Sequence, residues 1–257
     1  MKLNLLGAAT ALILGSAGAL AAPSTASFQI TSFSQVVSGG TLTWLGGGYQ
    51  DLFVESREAG GLGGNQIDGL KGDRSTTSLS TEVAHAGAQV STTPAGLLQG
   101  TASATPFYVS DTAQPHVGIV NASQLGEFSL SQAGSVTFTV NYTLTANAQA
   151  GDPLSTYAYS QLVFEAGNYA DTTPATFTDR LHTAEGSSGT RSGSFTYTVN
   201  LASADDVGYY NFNANAYGTA IAAAVPEPGE WALMLAGLGL LGGWRLRQQR
   251  LTQGVAA

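Results

Sequence analysis

Between positions 135 and 147, Val136, Phe138, Val140, Tyr142 and Leu144 alternate with Thr137, Thr139, Asn141, Thr143 and Thr145. Successive side chains of an extended chain point to opposite faces, so this run has one large apolar face and one face dominated by threonine. A helix would scatter the same apolar groups around its circumference and bury no more than a fraction of them together. The segment is therefore a strand with a core side and a wet side, and it requires a second apolar layer against its inner face.

The same period recurs. Phe195, Tyr197, Val199 and Leu201 alternate within 194–202, and Tyr210, Phe212, Ala214 and Ala216 share one face of 207–219. With the turn-like Ser203-Ala204-Asp205-Asp206 between them, these two runs predict a final hairpin. A short strand over 127–130 leads to Ser131-Gln132-Ala133-Gly134, read as a hairpin turn because Gly134 can take positive φ. Residues 156–166 form a strand with a less clean division of faces, and 28–37 and 41–45 are opening strands around Ser38-Gly39-Gly40. Glycine clusters punctuate 46–100, which reads as loop-rich, with 79–90 ambiguous between strand and short helix. No long helical pattern interrupts the series. Many short strands separated by Gly, Asn and Asp turns predict an all-β fold, an antiparallel β-sandwich of jelly-roll or Ig-like type.

Cysteine is absent, which removes disulfides, thiol catalysis and cysteine metal sites together. The chain carries 17 acidic residues against 9 basic ones, and between the two terminal segments the basic residues are Arg57, Lys71, Arg74, Arg180 and Arg191 alone. So acidic a domain is not expected to bind nucleic acid or an anionic lipid surface. A neutral polysaccharide, or an acidic one bridged by cations, remains compatible.

Catalytic chemistry needs a nucleophile beside a base, or a carboxylate pair in a cleft. His85, His116 and His182 show no metal-ligand spacing and there is no Gly-x-Ser-x-Gly elbow, so each histidine is expected to stand alone on the surface or in a loop. No catalytic residue, cofactor or metal ligand is predicted, and the protein is not expected to be an enzyme. Asp205-Asp206 and Asp68-Gly69-Leu70-Lys71-Gly72-Asp73 offer oxygen ligands for calcium, but they lack the EF-hand spacing and suit ordinary turns. Among the aromatic residues, Trp44 and Tyr209 are candidate glycan contacts, since aromatic faces stack on sugar rings. Tyr209 is expected to face outward because Tyr210 and Phe212 claim the inner face.

The two ends carry an address. Lys2, an apolar stretch and the Ala19-Leu20-Ala21 site predict a secretory signal peptide over residues 1–21, cleaved after Ala21. At the other end Pro226, Glu227 and Pro228 form a rigid extended segment that cannot join a following helix. An uncharged apolar run then extends from Trp231 to Trp244 and is followed by Arg245, Arg247 and Arg250. At about 1.5 Å per residue the run spans roughly 21 Å, shorter than a comfortable membrane crossing, with tryptophans at both ends and arginines as a cytoplasmic stop.

This three-part order resembles the PEP-CTERM sorting signal. The resemblance covers residues 225–250, preceded by a passenger domain over 22–224 and followed by a tail over 251–257. Two departures are visible: Leu246, Gln248 and Gln249 interrupt the basic cluster, and the tail extends beyond it. The resemblance implies export, transient anchoring in the inner membrane, recognition of the proline motif by an exosortase, and release to the cell surface or extracellular matrix. It further implies association with exopolysaccharide or biofilm. The expectation is a non-enzymatic secreted protein of that kind, with a carbohydrate-binding module of defined ligand, calcium-dependent or not, as the alternative.

Overall fold

A computed structural model describes residues 22–58, 64–68, 77–92, 97–106, 115–149, 156–171, 173–184, 186–220 and 236–238, with backbone alone at 65–68. The chain divides into two units, Met1–Ala222 and Ala223–Ala257. The described part of the first holds β1 (Ser24–Ser38), β2 (Leu42–Leu45), β3 (Gln50–Arg57), β4 (Gly64–Asp68), β5 (Ser78–Val83), β6 (Ala86–Thr92), β7 (Leu98–Ala104), β8 (His116–Leu130), β9 (Gly134–Asn147), β10 (Tyr157–Asn168), β11 (Ala175–Ala184), β12 (Ser188–Leu201) and β13 (Gly208–Ala220). In the second, residues 236–238 form a turn of helix. Among the described residues no helix is long and apolar enough to cross a membrane. The expected signal peptide lies outside the described residues, and so does the expected membrane helix over 231–244 apart from residues 236–238.

The strands build two antiparallel sheets. Sheet A has the order β12-β9-β1-β7-β6-β5; sheet B has β11-β10-β13-β8-β3-β4, with β2 pairing along β8 as well. The inner faces meet over one apolar core in a sandwich-like arrangement. Val136, Phe138, Val140, Tyr142 and Leu144 of β9 are all buried, as the alternation predicts, and Tyr210, Phe212, Ala214 and Ala216 of β13 face them from sheet B. On β12, Phe195 and Tyr197 are half-buried against this core while Val199 and Leu201 are fully buried. The less clean 156–166 run is β10, whose Ala158, Ser160, Leu162, Phe164 and Ala166 point inward.

Two predicted hairpins are corrected. β8 and β9 do not pair with each other: β8 lies between β13 and β3 in sheet B, and β9 between β12 and β1 in sheet A. Likewise β12 and β13 lie in different sheets. The short connections at 131–133 and 202–207 carry the chain from one sheet to the other. Periodicity of two records that a strand has an inner face, but either sheet satisfies that requirement. The stated reason for Gly134 is corrected too. Positive φ occurs at Gly39, Gly40 and Gly186, not at Gly134. Gly134 is needed because a Cβ there would lie 2.3 Å from the Ser38 carbonyl oxygen. The described residues of 46–100 are also more regular than a loop-rich reading allows, holding β3 to β7, and 79–90 lies within the β5–β6 hairpin.

Three side chains close one margin of the sandwich. Arg191 of β12 donates from Nη1 to Asp179 Oδ1 at 2.5 Å, and Tyr142 of β9 donates to Asp179 Oδ2 at 2.7 Å, so both sheet A strands are tied to β11 of sheet B. Burial works to raise the Asp179 pKa, but the hydrogen bonds from Tyr142 and Arg191 and the guanidinium charge hold it below the usual carboxylate value. Because the folded pKa is depressed, this contribution is complete above the unfolded value of about 3.9 and is lost as pH falls through the folded value. Asp179→Asn is expected to cost about 1–2 kcal/mol at neutral pH, the low end for charged hydrogen bonds because Arg191 is half exposed. Urea midpoints measured down to about pH 2 check this: the gap between variant and wild type should narrow as the pH falls below the unfolded value.

Candidate functional site

Glu58, His85 and His116 converge from three separate elements at one end of the sandwich. Arg57 pairs with Val117 in the β3–β8 ladder, so the next residues, Glu58 and His116, stand beside each other at the head of sheet B. His85 comes from the other sheet, in the two-residue turn between β5 and β6. Its carbonyl accepts from Thr105 N at 2.8 Å, which ties the turn to the end of β7. The sheets are unusually close here. A Cβ on Gly118 would lie 2.4 Å from the Gly87 carbonyl oxygen and 2.6 Å from that of Ser103, so only glycine permits the approach. Beside it Ser56 and Thr81 share a buried hydroxyl hydrogen bond of 3.1 Å across the two sheets.

One carboxylate organises the group. Glu58 Oε2 is 2.9 Å from His85 Nδ1 and 2.9 Å from His116 Nδ1, and Glu58 Oε1 accepts from the His85 backbone N–H at 2.9 Å. The imidazole centroids are 4.9 Å apart. His116 is 1% exposed, whereas the Glu58 and His85 side chains, at 18% and 26%, reach the surface. Burial acts to raise the Glu58 pKa, but hydrogen bonds from the His85 side chain and backbone and the charges of His116 and His85 bring it below the ordinary value. The carboxylate is ionised at neutral pH, and an ionised oxygen set between two imidazole nitrogens is metal-ligand chemistry. Among the described residues, this is the one set of three His, Asp or Glu side chains whose ligand atoms all lie within 4.8 Å of one another.

The expectation of three isolated histidines is therefore corrected for His85 and His116. His182 does stand apart from them, exposed on β11 with its ring 5.6 Å from Tyr157. Sequence spacing could not reveal the group, since Glu58 and His85 are 27 positions apart and belong to different sheets. One readable signal was available: His116 heads the inward row that continues through Gly118, Val120 and Ala122. A histidine in a core row needs a polar partner.

The two candidate glycan contacts point to opposite faces of sheet B. Trp44 pairs with the inward Phe128, and its ring meets Phe128 and Tyr210 edge-on, each at 5.8 Å, so it caps the core margin although 45% exposed. Tyr209 faces outward, as expected. It donates to Glu165 Oε1 at 3.0 Å and stacks on the exposed Tyr169 at 4.7 Å, and Tyr169 donates to Glu127 at 2.6 Å. Burial first, then Glu165, pushes the Tyr209 pKa up to about 12, so it remains a neutral donor.

Of the calcium candidates, Asp206 is committed to its own turn: its carboxylate accepts from Ala202 N at 2.6 Å, Ser203 N at 3.2 Å and Ser203 Oγ at 3.1 Å. The side chain of Asp68 and residues 69–73 lie outside the described residues. So do the processing and membrane positions Ala19, Ala21, Pro226, Glu227, Pro228, Trp231, Trp244, Arg245, Arg247 and Arg250.

A β domain followed in sequence by a proline motif, an apolar run and arginines has the organisation of an exported protein with a C-terminal sorting address. The model of the PEP-CTERM protein-sorting motif matches residues 224–248. The chain carries this motif and is a secreted protein processed by exosortase at the membrane, to which its C-terminus holds it transiently. Neither the curated proteins nor the solved structures compared with the chain give a match.

Proposed function

We propose that this is a non-enzymatic surface or matrix protein that exosortase releases among exopolysaccharides. A signal peptide cleaved after Ala21 delivers the domain, a helix over 231–244 holds it in the inner membrane, and cleavage near Pro226-Glu227-Pro228 frees it. Its sheets cross from one to the other at most connections, which favours the jelly-roll over the Ig-like alternative.

The observation that carries the reading is the outer face of sheet A, a field of hydroxyl and amide groups in register. Thr137 meets Thr198 at 2.8 Å, Thr139 meets Thr196 at 3.2 Å, Thr143 meets Ser192 at 2.9 Å, and Asn141 donates to Ser32 at 2.5 Å. The face continues over β7, β6 and β5 into a shallow groove of about 540 Å³ with Ser27, Gln29, Gln89, Gln99 and Thr101 in its lining. Such a surface exchanges hydrogen bonds with sugar hydroxyls without stripping water from an ion, which would cost far more. It also places no carboxylate against an acidic polymer along β9 and β12.

Intact-mass measurement in the native host is the test of processing. With exosortase present, the surface species should lack residues 1–21 and everything beyond the proline motif; without it, the C-terminal segment should remain. A surface species that keeps 231–250 in both strains would overturn the release step. Co-sedimentation with exopolysaccharide from the same host tests the destination, and loss of the released domain to the soluble fraction would count against it.

A second reading, a carbohydrate-binding module with one defined ligand, is favoured by the stacked Tyr169 and Tyr209 beside Glu127 on the outer face of sheet B. It expects saturable glycan binding that falls by about fivefold or more in Tyr169→Ala, on the scale of the roughly 1–3 kcal/mol that a nucleic-acid base gains by stacking on an aromatic ring. Unchanged binding in that variant would leave only the diffuse contacts of sheet A.

A further inference from the structure

We infer that Glu58, His85 and His116 form a binding site for a divalent transition metal of the zinc class, clipping the end of sheet B to the β5–β6 turn of sheet A.

The donor set comes first. Two imidazoles and a carboxylate are borderline ligands suited to Zn²⁺ and its neighbours, whereas Ca²⁺ and Mg²⁺ require oxygen cages that this site lacks. Geometry comes second. Ligand atoms about 2.0–2.1 Å from a tetrahedral zinc ion lie about 3.4 Å from one another. The Glu58 oxygen is 2.9 Å from each Nδ1 and the three ligand atoms all lie within 4.8 Å of one another, so the ion is admitted by widening each Glu58–histidine pair by about half an ångström. His85, on a two-residue turn and partly exposed, is the side chain with room to make that movement.

Rigidity and access follow from the fold. His116 is fixed at the head of β8 and buried, Glu58 is held by the backbone N–H of His85, and the close approach at Gly118 keeps both sheets in place. The exposed edges of Glu58 and His85 face water, which supplies the route of entry and the fourth ligand. Binding through Nδ1 requires each neutral ring to carry its proton on Nε2, so the two Nδ1 hydrogen bonds to Glu58 are replaced by metal bonds. Three ligands from three elements and two sheets, spanning residues 58 to 116, make such an ion a tether for folding as well as a ligand.

The test uses the full chain without a histidine tag, stripped with chelator and titrated with ZnCl₂ by calorimetry and with CoCl₂ by visible absorption. One equivalent of zinc is expected, with the absorption bands of tetrahedral cobalt and a rise in Tm of about 5–10 °C at zinc concentrations 100-fold above Kd. His85→Ala and Glu58→Gln should each weaken zinc binding by at least about tenfold, as loss of a ligand or its support does elsewhere. His182→Ala should bind as wild type does. Circular dichroism of the metal-free variants confirms that they fold, and the cobalt spectrum of the unaltered protein tests the site independently of any variant. Absence of stoichiometric zinc binding, or binding that survives both substitutions, overturns the assignment.

Discussion

Replacing Phe138 with alanine should lower stability by about 3–5 kcal/mol, the range for truncating a buried aromatic side chain. Phe138 is fully buried on β9 and stands at the centre of a ring cluster drawn from both sheets. It stacks on Phe33 at 5.5 Å within sheet A, and meets Phe128 at 5.5 Å, Tyr210 at 5.6 Å and Phe164 at 6.3 Å, all from sheet B. Truncation therefore removes apolar contacts on both sides of the core and leaves a cavity that strands held by their ladders cannot close. Domains are stable by only about 5–15 kcal/mol, so the variant should show a much lower denaturation midpoint or populate unfolded chain at 37 °C. Val36→Ala is the control. Val36 is 67% exposed and its loss should change stability by no more than about 0.5 kcal/mol. Equal midpoints for Phe138→Ala and the control would contradict a single core shared by the two sheets.

Gly118→Ala adds one methyl group and should still destabilise by about 3 kcal/mol, the upper end for overpacking. The new Cβ would meet the Gly87 oxygen at 2.4 Å, the Ser103 oxygen at 2.6 Å and the Ser103 nitrogen at 2.8 Å. These are backbone atoms of β6 and β7, paired with each other, so no side chain can rotate away and the sheets themselves must separate. Because φ at Gly118 is not in the left-handed region, the cost comes from contact alone. Separation of the sheets would also draw His85 away from His116, so zinc affinity and thermal stability should fall together in this variant. Gly46→Ala, with no atom within 4 Å of its added Cβ, should be neutral within about 0.5 kcal/mol. A neutral Gly118→Ala would show that the close approach is not required.

These two residues differ in how far the sequence announces them. Phe138 sits in an uninterrupted alternation, and its burial follows from period alone. Gly118 gives no local sign, because its neighbours are distant in the chain and belong to the opposite sheet. The failed hairpins have the same origin. The connections at 131–133 and 202–207 are as short as hairpin turns, yet sheets packed about 10 Å apart are within reach of a few extended residues, so length does not distinguish turning back from crossing over. Trp44 and Tyr209 are both candidate glycan contacts in the sequence, but strand register sends one to the core margin and the other to the outer face.

The sequence by itself determined the strand faces, the acidic and cysteine-free character of the domain, and the sorting motif at its C-terminal end. All three are local properties, written in side-chain alternation, in composition and in a contiguous run of residues. Only the tertiary structure decided which strands pair, where the sheets come close enough to demand Gly118, and that Glu58, His85 and His116 share one site. Those depend on contacts between residues remote in the chain, and they are set when two sheets find the one packing that buries both inner faces.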